Sequence, residues 1–158
     1  VIKGALIAAA LCLAPVAALA QSLSVIGVDG KETRLSPTAL QALSRAEAKL
    51  GAGDRSVAYL GPTLTAVLRE AGLPAGARLH GKILATYVVV TGSDGYRAVL
   101  SLAEIDASFR DGAVILADRR ASGALAENEG PYRLVVGPDK RPERAVRMVV
   151  KIEVVAAP

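Results

Sequence analysis

The sequence predicts an α+β domain with more strand than helix, and three observations carry that reading. From Ile83 onward, β-branched and other apolar residues come in short runs separated by Gly, Pro, Asp and Ser, the punctuation of strands and tight turns. Helical spacing of apolar residues is confined to short stretches that open on capping residues. No repeat, low-complexity tract or linker divides the chain, and 158 residues is the length of one domain.

The elements follow in order. Leu23 to Val28 is a strand ended by the turn Asp29-Gly30. Ser36-Pro37 opens a short helix, with Ser as cap and Pro at the first helical position, and Leu40 and Leu43 face inward. Gly51 to Asp54 is a loop and Ser56 to Leu60 a strand, after which Gly61-Pro62 turns the chain into a second helix. Leu64, Val67, Leu68 and Ala71 share a face of that helix, which stops at Gly72. Ile83 to Thr91 and Tyr96 to Leu100 form a hairpin around Ser93-Asp94-Gly95. Ser101 and Glu104 have the spacing of a capping box for a third helix. Val114 to Ala117 is a buried strand, and Tyr132 to Val136 is a strand that follows the loop around Gly130-Pro131. The final strand alternates Val146, Met148, Val150, Ile152 and Val154 with Arg147, Lys151 and Glu153.

Composition narrows the function classes. The chain is 52% hydrophobic and 22% charged, which excludes a disordered chain and a coiled coil. Much of the apolar excess lies in Val1 to Ala20, which read as a secretory signal: Lys3, an apolar run from Gly4, and the small-x-small pattern Ala18-Leu19-Ala20. Residues 1–20 are therefore expected to be removed, leaving a single domain over 21–158 in the periplasm or secreted, with no membrane span after cleavage. The sole cysteine, Cys12, lies in that leader, so the mature chain is expected to lack a thiol. A single histidine, His80, leaves no multi-histidine metal site and nearly excludes a Ser-His-Asp triad. A net charge of only +4, with four Tyr, one Phe and no Trp, argues against nucleic-acid binding.

One basic cluster stands out: Lys140, Arg141, Arg144, Arg147 and Lys151. It is either a solvated strand face with loop charges or an anion-binding patch. Glu127 and Glu129 read as a solvated turn, and Arg119-Arg120 as surface charge.

From Tyr59 to the C-terminus the order of motifs resembles the molybdopterin-binding domain of the sulfite oxidase family. The residues concerned are Tyr59-x-Gly61 with the helix from Leu64 to Gly72, and Asp94-Gly95-Tyr96 leading to Ser101-Leu102. They continue with Ile115-Leu116-Ala117, Gly123-x-Leu125 and Gly130-Pro131-x-Arg133, and close with Arg144-Ala145-Val146-Arg147 followed by Ile152-Glu153-Val154. The resemblance implies an α+β fold of mixed β-sheets with a few short helices. It also implies a molybdenum ion held by a pterin dithiolene and a cysteine thiolate, and oxygen-atom transfer on sulfite- or sulfoxide-type substrates. Basic residues then bind the cofactor phosphate and the substrate anion, with Arg133, Arg144 and Arg147 at the matching positions.

Three departures bear on that implication. No cysteine lies between Ala42 and Ala58, where the thiolate is expected; Glu129 stands where the family has a histidine; and Met148 stands where it has a tryptophan. The leader also lacks the arginine pair that marks export of a folded, cofactor-loaded chain. The expectation is an exported, non-catalytic domain of this fold that binds a small anion or metabolite, or an envelope protein partner, with no cofactor of its own. Molybdopterin enters by resemblance alone. The alternative is an oxygen-atom-transferring oxidoreductase whose centre lacks the cysteine or is completed by a partner. Arg133, Arg144 and Arg147 are expected to converge beside Lys140 and Arg141, with Asp94 and Tyr96 as a hydrogen-bonding wall.

Overall fold

The computed structural model describes residues 22–158, so the expected leader lies outside the described residues. Three sheets and three short helices make up the body, an α+β architecture as the sequence predicts. Strands β1 (Leu23–Ile26), β2 (Glu32–Leu35), β5 (Thr86–Gly92), β6 (Arg97–Ser101) and β11 (Val149–Ala156) form one sheet in the order β2-β1-β11-β5-β6. It is mixed, because β1 runs parallel to β11 while the other pairs are antiparallel. A second sheet has the order β3-β4-β8-β9, from β3 (Arg45–Leu50), β4 (Val57–Pro62), β8 (Arg119–Arg120) and β9 (Gly123–Ala124). Strands β7 (Val114–Ala117) and β10 (Arg133–Val136) pair antiparallel as a ribbon.

That ribbon divides the interior. All eight of its residues are buried, and side chains alternate across it with the period of two that a strand imposes. Val114, Leu116, Leu134 and Val136 enter the main core with Leu23, Val25, Leu64, Val67, Val88, Leu100 and Ile152. Ile115, Ala117 and Val135 enter a smaller core with Ala48, Leu50 and Tyr59. Arg133 lies two residues before Val135 and so shares its face, toward Tyr59 and the second sheet.

Local chemistry sets the helices. In α1 (Pro37–Gln41) the Ser36 hydroxyl accepts from the Ala39 N–H, and Leu40 is fully buried. In α3 (Leu102–Ile105) both halves of the Ser101/Glu104 capping box are present. The cap of α2 (Leu64–Glu70) is Thr63, whose hydroxyl accepts from Ala66 N–H at 3.2 Å. Gly61-Pro62, expected as the turn into this helix, instead ends β4. A Cβ on Gly61 would stand 2.2 Å from the Leu116 carbonyl oxygen, so β4 crosses β7 where only glycine fits.

Other differences are physical as well. Strand β1 ends at Ile26, and residues 81–85 form a 3₁₀ turn before β5. Strand β2 was not evident in the sequence, and neither was β3, because Arg45, Glu47 and Lys49 alternate there with Ala46 and Ala48, too small to mark a buried face. The last strand begins at Val149 rather than Val146. Met148 takes φ +48°, and a bulge between Val149 and Lys151 puts Val149 in the core in place of Met148. Among the described residues no helix is long and apolar enough to cross a membrane.

Candidate functional site

A cleft of about 630 Å³ opens where the β3–β4 hairpin, the loop before β10, the β5–β6 turn and the approach to β11 meet. Four arginines line it: Arg55 from the 3₁₀ turn after β3, Arg120 from β8, Arg133 from β10, and Arg147. Such a volume lies within the range of small-molecule sites.

Its inner part is a buried polar cluster. Glu129, only 4% exposed, accepts through Oε1 from Arg133 Nη1 and from the Tyr59 hydroxyl, the latter at 3.0 Å. Through Oε2 it accepts from Arg120 Nε at 3.0 Å, Arg120 Nη2 at 2.8 Å and the Ala126 N–H at 3.3 Å. Arg133 also donates to the Tyr59 oxygen at 3.0 Å, and its Cζ lies 5.1 Å from the Tyr59 ring centroid. Burial pushes the Glu129 carboxyl up, but the bonds from Tyr59, Ala126 and Arg120 and the charge of Arg133 outweigh it and hold the group below the ordinary carboxylate range. Burial also raises the Tyr59 hydroxyl, with the Arg133 charge opposing and the bond to Glu129 adding to the rise. Arg133 Nε is buried with no partner among the described residues.

The outer part is different. Arg55 and Arg147 are exposed, and neither is paired with a carboxylate among the described residues. Leu50, Val57, Pro142 and Ala145 add apolar side chains to the same lining. Asp94 and Tyr96 stand in the hairpin turn, where Asp94 Oδ1 accepts from the Tyr96 N–H at 2.9 Å and the Tyr96 hydroxyl donates to the Glu143 carbonyl.

Of the residues singled out in the sequence, Arg133, Arg147, Asp94 and Tyr96 meet at this cleft, and Lys140, Arg141 and Arg144 do not line it. Arg144 turns away: Nε and Nη2 donate to Asp139 at 2.8 and 2.6 Å, and Nη1 donates to Glu104 at 2.8 Å. The bonds to Asp139 and then Glu104 raise its pKa further. Arg144 ends the 3₁₀ turn Pro142–Arg144 and reaches Glu104 of α3, while Arg147, three residues further on, lines the cleft. Arg141 is exposed and paired with Glu143 at 2.7 Å, and Lys140 is exposed. His80 is exposed and outside the cleft.

Sequence reasoning missed Arg55, Tyr59, Arg120 and Glu129 as members of this site. Glu129, expected in a solvated turn, is buried; Arg120, expected as surface charge, is its partner. The signal for Glu129 was its place directly before Gly130-Pro131, where the resembled family has a histidine. A second cleft of about 610 Å³ lies beside Thr65, Asp106 and Arg110, but both Asp106 oxygens are already taken by Gly76, Ser108 and its hydroxyl.

The donor set does not fit a thiolate-ligated metal. The one cysteine of the chain, Cys12, lies outside the described residues, and among those described no three His, Cys, Asp or Glu side chains gather around one point. The carboxylate deepest in the cleft is shared by two guanidiniums, which would set its charge against any anionic group placed there.

Fold and site together define an α+β domain with an arginine-lined cleft. No family model matches the chain, and no curated protein matches it in sequence. Among solved structures the chain is similar to the sulfane dehydrogenase SoxCD from Paracoccus pantotrophus, with a TM-score of 0.64 at 19% identity. The match covers 85% of this chain and 38% of that one, and at this identity it establishes a shared fold.

Proposed function

We propose that this chain is an exported, non-catalytic domain of the sulfite oxidase-like molybdopterin-oxidoreductase fold whose cleft binds a small anion. The observation that carries the reading is the cleft itself: four guanidiniums and three carboxylates, Asp94, Glu129 and Glu143, around about 630 Å³, with neither Arg55 nor Arg147 in an ion pair among the described residues. A planar guanidinium pairs two oxyanion oxygens at once, which makes arginine the residue suited to such a ligand. The order of motifs from Tyr59 onward and the fold shared with a sulfane dehydrogenase support the family assignment. The misfit of the donor set to a thiolate-held metal supports the non-catalytic half.

The test is a melting screen with sulfate, phosphate and small organic anions on wild type, Arg55→Ala and Arg147→Ala. Saturating ligand at 100 times its dissociation constant adds about 2.7 kcal/mol, and both substitutions should abolish the gain. Equal response of wild type and both variants to every anion overturns the reading. Export is tested separately: mature protein from its native host should begin at Gln21 in the periplasmic or secreted fraction, and a soluble chain still carrying Lys3 would refute it.

An oxygen-atom-transfer enzyme with a partner-completed centre is the second reading, favoured by the enzymatic character of the structural neighbour and by the chain spanning only 38% of it. Near-stoichiometric molybdenum in the protein purified from a molybdenum-replete host, with a dithiolene absorption band, would establish that reading in place of the first. Pull-down from envelope extract tests for the partner.

A further inference from the structure

The innermost position of the cleft is already held by a carboxylate in the place of a ligand's. Glu129 gives one oxygen to Arg133 and Tyr59 and the other to Arg120, the coordination a planar oxyanion receives from two guanidiniums and a phenol. Glu129 is 4% exposed and Arg133 is 6% exposed, so neither side chain can leave without unpacking the smaller core. The single charge of Glu129 faces two guanidiniums, and Arg133 Nε is left without a partner among the described residues. Neither outer arginine is in an ion pair among the described residues, Glu143 at the rim being paired with Arg141, and the lining they share includes the apolar side chains of Leu50, Val57, Pro142 and Ala145 beside Asp94 and Tyr96.

We propose that Glu129 is a resident stand-in for an oxyanion. It closes the seat between Arg120 and Arg133 to small inorganic anions and leaves Arg55 and Arg147 to select an organic anion, an acidic group joined to an apolar body. The inference deepens the anion-binding reading and rests on it. An inorganic ion fills a small part of a cleft this size and gains nothing from apolar walls. An organic anion pairs its acidic group with the outer guanidiniums and buries its body against the wall.

The experiment follows the Nε–H resonances of the four arginines and the melting temperature, with sulfate, benzoate and phenyl phosphate as probes at constant ionic strength. In wild type, benzoate or phenyl phosphate should shift Arg55 and Arg147 saturably, while Arg120 and Arg133 stay fixed in all three. In Glu129→Gln, sulfate should move Arg120 and Arg133 and raise the melting temperature, binding at least about tenfold more tightly than to wild type. If Glu129→Gln does not fold, Glu129→Ala, which removes the carboxylate and opens the seat between Arg120 and Arg133, should gain the same sulfate response, refolding in sulfate if not without it. Saturable movement of Arg133 by sulfate in wild type overturns the stand-in, as does a folded Glu129 variant no more responsive to sulfate than wild type. Sulfate shifting Arg55 and Arg147 as tightly as the organic probes overturns the ligand class. If no probe moves any of the four arginines in wild type, and none stabilises it, the anion-binding reading itself fails. That outcome differs from failure of the stand-in, in which anions bind but in the wrong place.

Discussion

Arg133 and Arg144 both held the matching basic positions in the sequence, and the fold gives them opposite lives. Arg133 is buried against a ring and a single carboxylate that it shares with Arg120, at the inner end of a cleft. Arg144 is about a third exposed, and its donors meet two carboxylates, Asp139 and Glu104, tying the turn before the last strand to α3. One cluster carries more cation than anion and borders the cleft; the other carries more anion than cation and does not line it. An arginine pattern alone therefore does not mark a site. The ratio of guanidiniums to carboxylates around the same volume does.

The largest effect that would sharpen this contrast is Arg133→Ala. It leaves Glu129 buried with one charged partner fewer, which costs about 3–5 kcal/mol and lowers Tm by roughly 10 °C in a domain of this size. Calorimetric melting reads it, and a drop no greater than that of Arg144→Ala would erase the distinction between the clusters. Arg144→Ala itself should cost about 1 kcal/mol, because its partners are solvent-screened, and should leave the response to organic anions unchanged in the same melting screen. A lost anion response in that variant would return Arg144 to the site.

Acid titration compares the two carboxylates directly. Glu129 and Glu104 both have folded pKa values below the ordinary 4.5. Their contribution to stability is complete above that value and is lost as pH falls through the lower folded values, so stability should decline from pH 4.5 downward. Denaturant midpoints measured against pH should show a flatter acid limb for Glu129→Gln than for Glu104→Gln, since Glu129 is held by two guanidiniums and a phenol and Glu104 by one guanidinium. Parallel limbs would mean that the number of charged donors does not separate the clusters. The smallest expected change in stability is that of Arg147→Ala: an exposed guanidinium without a carboxylate partner among the described residues should leave Tm within about 2 °C while the organic-anion shift disappears. A clear loss of stability without ligand would make Arg147 structural.

Much of the fold was legible because its causes are local. Ser36 before Pro37, the Ser101/Glu104 box, the Leu64–Val67–Leu68 face and the Asp94-Gly95 turn each specify an element within a few residues, and the structure contains all four. Strand β3 escaped because its inward residues include two alanines, and the start of β11 because a bulge breaks the alternation at Val149. Of the candidate site, Arg133, Arg147, Asp94 and Tyr96 were visible as residues, but not the partners that define their chemistry.

By itself, then, the sequence determined the α+β class, two helix caps and the buried face of a third helix, the hairpin, and an excess of arginine near the C-terminus, all set by contacts between near neighbours in the chain. The tertiary structure decided which arginines share a volume and which carboxylate meets them. Glu129 bonds Tyr59 across 70 residues and Arg144 bonds Glu104 across 40. Such pairings depend on how β4, α3 and β10 come together in space, and no spacing along the chain encodes them.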